Sequence, residues 1–400
     1  MSHTRMAFRQ WLPLIGLTVS VFIFNMSEFM PVGLLTSIAD DFGTSESQTG
    51  LIISFYAWAV AICSLPLMLL LRKVDYRPML LMAVLTFTVF QFLSGISTSY
   101  WMLMASRIGV ALAHSVFWSI AAPLAVSVVE FRYHRFALSV MAVGTSVAMI
   151  LGLPLGRVIG LAMGWRMSFF AIAAVSVLTL ILLTAVFPQV RNPGTFTVKR
   201  MPDIYRNRVL VGVYVMIVVF VTGHFTCYSY IEPFLLDAAG LSDDSVTVAL
   251  TVFGLAGIVG SMIFTKMYDR TRFRIVPAVL LFSGLSMMMF GLALGNFVLL
   301  MALCALWGMC YTLFCVISQN ETLRAAPADA APVAMSLQSG IFNAGIASGS
   351  IVGGIVIDLR SVNDIGFVAS VFALAAFLFT YLWLIRKIRA NAENGRENSL

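Results

Sequence analysis

Runs of twenty or more apolar residues, separated by short polar stretches, fill the chain from Trp11 to Leu384. A helix needs about 20 such residues to cross the hydrocarbon of a bilayer. Twelve runs qualify: 11–35, 47–71, 78–98, 100–128, 136–162, 166–187, 209–236, 245–268, 275–294, 297–320, 332–357 and 363–386. The hinges at Gly95–Ser99 and Gly295–Asn296 are so short that the helices they join must run antiparallel. The first run is too long for a signal-peptide core and lacks a small-residue cleavage site, so it reads as a retained span. The pattern predicts an all-α membrane protein of twelve transmembrane helices.

One interior polar stretch is long. It runs from Pro188 to Arg208, is basic, and contains Pro188, Pro193 and Pro202. It divides the chain into an N-terminal six-helix half (1–187), a cytoplasmic linker (188–208) and a C-terminal six-helix half (209–400). The halves echo each other. Gly152, Gly156 and Gly160 fall on one helical face, and Gly345, Gly349 and Gly353 repeat that spacing 193 residues later. Asp75 and Asp269 lie 194 apart. Small residues at this spacing let helix backbones touch in a membrane, where close packing replaces hydrophobic drive. Pro154, which has no N–H to donate, bends the first of these helices. Two pseudo-symmetric halves in parallel orientation are the pattern of a secondary transporter.

Charge fixes the expected orientation. With both termini inside, the cytoplasmic segments hold Arg5, Arg9, Arg72, Lys73, Arg77, Arg132, Arg135, Arg191, Lys199, Arg200, Arg206, Arg208, Lys266, Arg270, Arg272, Arg274, Arg324, Arg386, Lys387, Arg389 and Arg396. Only Arg107, Arg157, Arg166 and Arg360 of the 25 Lys and Arg remain. The opposite loops carry Asp40, Asp41, Glu46, Asp237, Asp243 and Asp244, so the asymmetry follows the positive-inside rule. At 60% hydrophobic and 11% charged residues, with mean hydropathy +0.95, the chain needs lipid around it. The net charge of +7 is scattered between apolar runs, which is membrane topology and excludes a nucleic-acid partner. The cysteines (Cys63, Cys227, Cys304, Cys310, Cys315) lie inside apolar runs with neither metal spacing nor a disulfide framework. No phosphate-binding loop, His-Glu-x-x-His or Gly-x-Ser-x-Gly occurs, and Gly254, Gly257 and Gly260 read as packing glycines. Neither an enzyme nor a cofactor is expected, nor a metal.

Several motifs carry a family resemblance. Gly144…Gly152-Leu-Pro154-Leu-Gly156, Gly164-Trp165-Arg166-Met-Ser-Phe-Phe and Ser106-Arg107-Ile-Gly109 resemble motifs of the major facilitator superfamily, in its drug:proton antiporter branch. The loop Arg72-Lys73-Val-Asp75-Tyr-Arg77 departs from that branch's pattern, and Tyr268-Asp269-Arg270 is nearer to it. Four further stretches are similar to bacterial sugar efflux transporters of the SotB type. They are Phe24-Asn25-Met-Ser-Glu28-Phe-Met-Pro31-Val-Gly33, Arg107-Ile-Gly-Val-Ala-Leu-Ala-His114-Ser-Val-Phe-Trp118, Gly152-Leu-Pro-Leu-Gly-Arg157 and His224-Phe-Thr-Cys-Tyr228-Ser-Tyr230-Ile-Glu232-Pro233. The resemblance implies the major facilitator fold and proton-driven export of small sugars, arabinose or isopropyl thiogalactoside among them, by alternating access. It implies a monomer in the bacterial inner membrane. It also implies that the glycine face of the fifth span packs against the second half, with Gly152, Pro154, Gly156, Gly160, Gly345, Gly349, Gly353, Asp269 and Arg270 as gating or packing residues. A multidrug or metabolite antiporter of the same fold is the alternative.

Polar residues inside spans are costly and mark function. Glu28, with Asn25 on its helical face, is the expected proton site, and Arg107 at similar depth is a plausible ion-pair partner. Arg107, His114 and Trp118 share a face of the fourth span; His224, Tyr228 and Glu232 share a face of the seventh. Glu28, Arg107 and Glu232 are therefore expected in proton coupling. Asn25, Tyr56, Trp58, His114, Trp118, His224, Tyr228, Glu232, Trp307, Tyr311, Gln338 and Asn343 are expected around the substrate, aromatic surfaces meeting the sugar ring and polar groups its hydroxyls. Arg157 and Arg166 are expected to snorkel or anchor near the outer surface.

Overall fold

The structure is a computed structural model that describes residues 8–192, 201–327 and 331–390. Pro193, Lys199, Arg200, Arg5 and Arg396 lie outside the described residues. Among the described residues the fold is helical, without a strand. The helices are α1 (Phe8–Phe29), α2 (Leu35–Phe42), α3 (Glu46–Leu70), α4 (Tyr76–Gly95), α5 (Tyr100–Ser127), α6 (His134–Met163), α7 (Trp165–Val186) and the short α8 (Met201–Arg206). They continue as α9 (Arg208–Tyr228), α10 (Ile231–Pro233), α11 (Asp243–Met288), α12 (Phe297–Ala325), α13 (Ala331–Leu359) and α14 (Ile365–Phe379). Eleven helical runs among the described residues are long and apolar enough to span a bilayer. One of these eleven, the 46-residue α11, is two spans joined: at 1.5 Å per residue it is roughly 69 Å long, more than twice a hydrocarbon core. Its backbone leaves helical geometry at Thr271 (φ −120°, ψ 15°), within the polar stretch that separates the eighth and ninth apolar runs. The fold is therefore the all-α, twelve-span one. Side chains such as Ile62, Leu151, Leu178 and Phe367 face outward as lipid contacts.

The chain divides into two compact units, Met1–Thr44 with Ile62–Phe196, and Ser45–Ala61 with Thr197–Leu400. The first half of α3 thus clusters with the second unit.

In the first unit α1 breaks after Phe29, where Pro31 begins a 3-10 turn, Met30–Leu34, before α2 continues. The glycine face of α6 lies on this broken segment. A Cβ built at Gly152 would stand 3.2 Å from the Met26 backbone, and one at Gly156 would press on Met30. Gly160 meets Leu34 and Ser168. Within its own unit the immediate partner of this stripe is therefore α1 and the turn that follows it. Arg157 corrects another expectation. Set between two of these glycines, it points inward, is wholly buried, and donates from Nη1 to the Gly33 carbonyl at 2.6 Å. Arg166 is half-buried, ion-paired with Asp41 at 2.7 Å and bonded to the Ser97 carbonyl, so it ties the α6–α7 turn to the ends of α2 and α4. At the other end the Asp75 carboxylate accepts from the Asn192 backbone N–H at 3.1 Å, docking the start of the linker on the α3–α4 turn.

In the second unit α9 breaks at Ser229, ahead of Pro233, and α13 packs on it through the second glycine stripe. A Cβ at Gly345 would strike Val221, one at Gly349 the backbone of Thr222 and Thr226, and one at Gly353 the Thr226 carbonyl and Tyr230. The N-terminal half of α3 closes on the same region. Ser350 Oγ donates to the Gly50 carbonyl (3.0 Å), Tyr230 OH donates to the Ser350 carbonyl (2.9 Å), and Ser47 donates to Asp358 (2.7 Å).

Candidate functional site

Each unit carries its own polar cluster inside its spans. In the first unit the last turn of α1 places Glu28 beside α5, with its carboxylate 3.8 Å from His114 Nε2 and both side chains nine-tenths or more buried. His114, expected around the substrate, thus also lies beside the expected proton site. Arg107, one per cent exposed, puts Nη1 on the Ser27 hydroxyl (2.9 Å) and Nη2 on the Ser27 carbonyl (2.7 Å), and lies over the Phe169 ring at 5.8 Å. The Ser27 hydroxyl in turn reaches Gln91 Oε1 on α4 at 3.1 Å. Asn25 is buried but turned back on its own helix, donating to the Val21 carbonyl at 2.8 Å. Trp118 is half-buried, its ring 6.0 Å from the His114 imidazole.

The second unit gathers rings. His224, wholly buried on α9, stacks on Tyr311 of α12 with centroids 3.7 Å apart and planes 5° from parallel. Tyr228 lies 5.1 Å and Trp307 5.0 Å from it, and Phe253 of α11 completes the wall against Trp307 at 5.1 Å. Neither nitrogen of His224 has a hydrogen-bond partner, nor has Trp307 Nε1. Burying such groups unpaired costs about 1–3 kcal/mol each, so their retention needs a reason. On α13 Gln338 Nε2 reaches Ser318 at 3.4 Å and Asn343 Nδ2 its own helix at 3.0 Å, while the side-chain oxygen of each is without a partner. Glu232 is buried beyond the break in α9; Tyr56 is buried and Trp58 half-buried on α3.

A third cluster sits near the α11 kink. Asp269 pairs with Arg324 at 2.6 Å, and Glu321, one per cent exposed, accepts from Arg272 Nε at 2.6 Å, from its Nη2, and from Tyr268. Sequence reasoning missed Glu321. A carboxylate in the last turns of a span looks like a solvated end, and its partners, Arg272 and Tyr268, lie about fifty residues away in the chain. It missed Ser27 and Gln91 too, since uncharged polar residues in an apolar run carry no periodic signal.

A fold of twelve spans in two packed units, each with titratable groups inside its helices, defines a membrane transporter. Residues 17–350 match the family model of the Major Facilitator Superfamily, and the chain belongs to that superfamily. Among solved structures it is similar to a bacterial homolog of the human lysosomal transporter Spinster, described as inward-facing and unoccupied. That likeness has TM-score 0.76 and 13% identity over 97% of this chain and 98% of that one, and it shows the fold. The chain is thus a multi-pass membrane transporter, not an enzyme.

Proposed function

We propose that this transporter exports small sugars from the bacterial cytoplasm, driven by the inward proton gradient. The observation that carries the reading is the His224 box. A neutral imidazole offers one donor and one acceptor and the neighbouring Trp307 indole a donor; elsewhere in the same unit, on α13, Gln338 and Asn343 hold amide oxygens without a partner. Groups of both kinds beside ring faces match a polyol, whose hydroxyls donate and accept and whose ring face is weakly apolar. A lipophilic drug would leave those groups unpaired.

Glu28 and His114 serve as the proton site. At 3.8 Å the carboxylate and the imidazole face each other inside the spans, within reach of one exchanged proton. Arg107 holds the shoulder of α1 beside them, and Glu232 is a second carboxylate available to the coupling. The chain works as a monomer of two six-helix halves, 1–187 and 209–400, joined by the 188–208 linker, with both termini cytoplasmic and alternating access as the mechanism. It needs no cofactor beyond the proton gradient.

Binding of labelled arabinose or isopropyl thiogalactoside to the purified full-length protein tests the substrate. His224→Ala weakens it about tenfold or more, the loss of one buried hydrogen-bond partner. If the mutant binds sugar as the parent does while efflux of a lipophilic cation is lost, the drug reading replaces this one.

A further inference from the structure

We propose that Gln91 is a positioning residue for the Glu28 proton site, acting through Ser27 and Arg107; this rests on the reading of Glu28 given above. Gln91 lies on α4, wholly buried between Phe87 and Ser94, which are buried as well. Its Oε1 meets the Ser27 hydroxyl at 3.1 Å, and its Nε2 has no partner. A buried amide with one end idle would be replaced by an apolar side chain unless its other end did something needed.

Hydrogen counting shows what that is. The Ser27 hydroxyl has one hydrogen and two lone pairs, whereas a guanidinium only donates. Because Arg107 Nη1 donates to Ser27 Oγ at 2.9 Å, the hydroxyl hydrogen has to leave in another direction, and Gln91 Oε1 takes it. Gln91 therefore fixes Ser27 as an acceptor. Two oxygens of one residue, Oγ and the carbonyl, then hold Nη1 and Nη2 as a clamp, and Phe169 supports the guanidinium from α7. The residue that holds the clamp is next in the chain to Glu28. The charged and titratable groups facing that carboxylate are Arg107 and His114, both from α5. From α6, Arg157 donates to the Gly33 carbonyl.

Without Gln91 the hydroxyl hydrogen loses its acceptor, the Ser27 hydroxyl is no longer fixed in the orientation that receives Nη1, and the hold on Arg107 loosens toward the Glu28 carboxylate. A direct ion pair would hold that carboxylate charged, so loading a proton would demand more acid.

The test is proton-driven sugar accumulation by the full-length protein in proteoliposomes, measured over a range of pH. Gln91→Met keeps the volume and removes the acceptor; Ser27→Ala removes the clamp's hydroxyl and carries the test if the first variant fails to insert. Both move the pH of half-maximal transport about one unit to the acid side, and sugar affinity at saturating proton stays that of the parent. A merely structural role would lower the amount of active protein without moving the profile. A parental pH profile in inserted Gln91→Met, with Glu28→Gln inactive, overturns this inference alone. If Glu28→Gln itself keeps the parental profile, the proton-site reading falls instead, and the role of Gln91 with it.

Discussion

Replacing Gly349 by alanine, beside the same change at Gly156, measures how closely the two glycine stripes are packed. At Gly349 the new Cβ would run into the Thr222 carbonyl and lie 2.9 Å from Phe225 Cβ and 3.0 Å from the Thr226 amide nitrogen. These are backbone or backbone-fixed atoms on α9, so α9 and α13 must move apart as rigid bodies. Overpacking of that kind costs about 1–3 kcal/mol. Alanine in a helix returns about 1 kcal/mol over glycine, leaving a net loss of about 1–2 kcal/mol. At Gly156 the obstacle is the Met30 side chain, with Cγ at 2.5 Å and Sδ at 3.3 Å. An unbranched thioether can rotate away, and the helix gain offsets the cost to within about 0.5 kcal/mol. Thermal unfolding of the two purified variants in one detergent reads the difference. Gly349→Ala lowers the apparent midpoint by a few °C and Gly156→Ala leaves it close to the parent. Equal midpoints, or a parental one for Gly349→Ala, would refute the claim that backbone contact sets the α9–α13 distance.

The charge cluster at the α11 kink supplies a second contrast. Glu321→Ala strands Arg272 beside Tyr268 and costs about 3 kcal/mol or more, whereas Arg324→Ala breaks an exposed pair and costs under about 1 kcal/mol, both read as thermal midpoints. In sugar binding, Trp307→Phe keeps the ring but loses its N–H, and the Kd rises about fivefold or more; an unchanged Kd would remove Trp307 from the site.

Most of the fold was legible because a span declares itself by length alone, and each of the twelve apolar runs falls on helix. The eighth and ninth lie on the two arms of α11, which kinks at Thr271 within the polar 269–274 stretch. The glycine spacing announced close helix contact, yet spacing on one helix does not name the helix it touches, and the stripe of α6 went to α1. Arg157 was misread for a related reason. Position along the chain gives depth in the membrane, whereas burial depends on which way the helix face is turned. For the site, the stripes on α5 and α9 could be drawn from four-residue spacing. That His114 belongs with Glu28 depends on how far α1 and α5 are offset along their axes, which no local pattern encodes.

Sugar flux under an imposed proton gradient tests the central claim most directly. Parent protein and Glu28→Gln are reconstituted in proteoliposomes and oriented so that export fills the lumen, which is made acidic relative to the medium. Labelled arabinose or isopropyl thiogalactoside is then followed. The account predicts that the parent accumulates sugar above the external concentration, that a protonophore abolishes this, and that Glu28→Gln only equilibrates sugar or fails to move it. Accumulation by Glu28→Gln equal to the parent's, or parent flux indifferent to the gradient, would contradict proton-coupled export through this site.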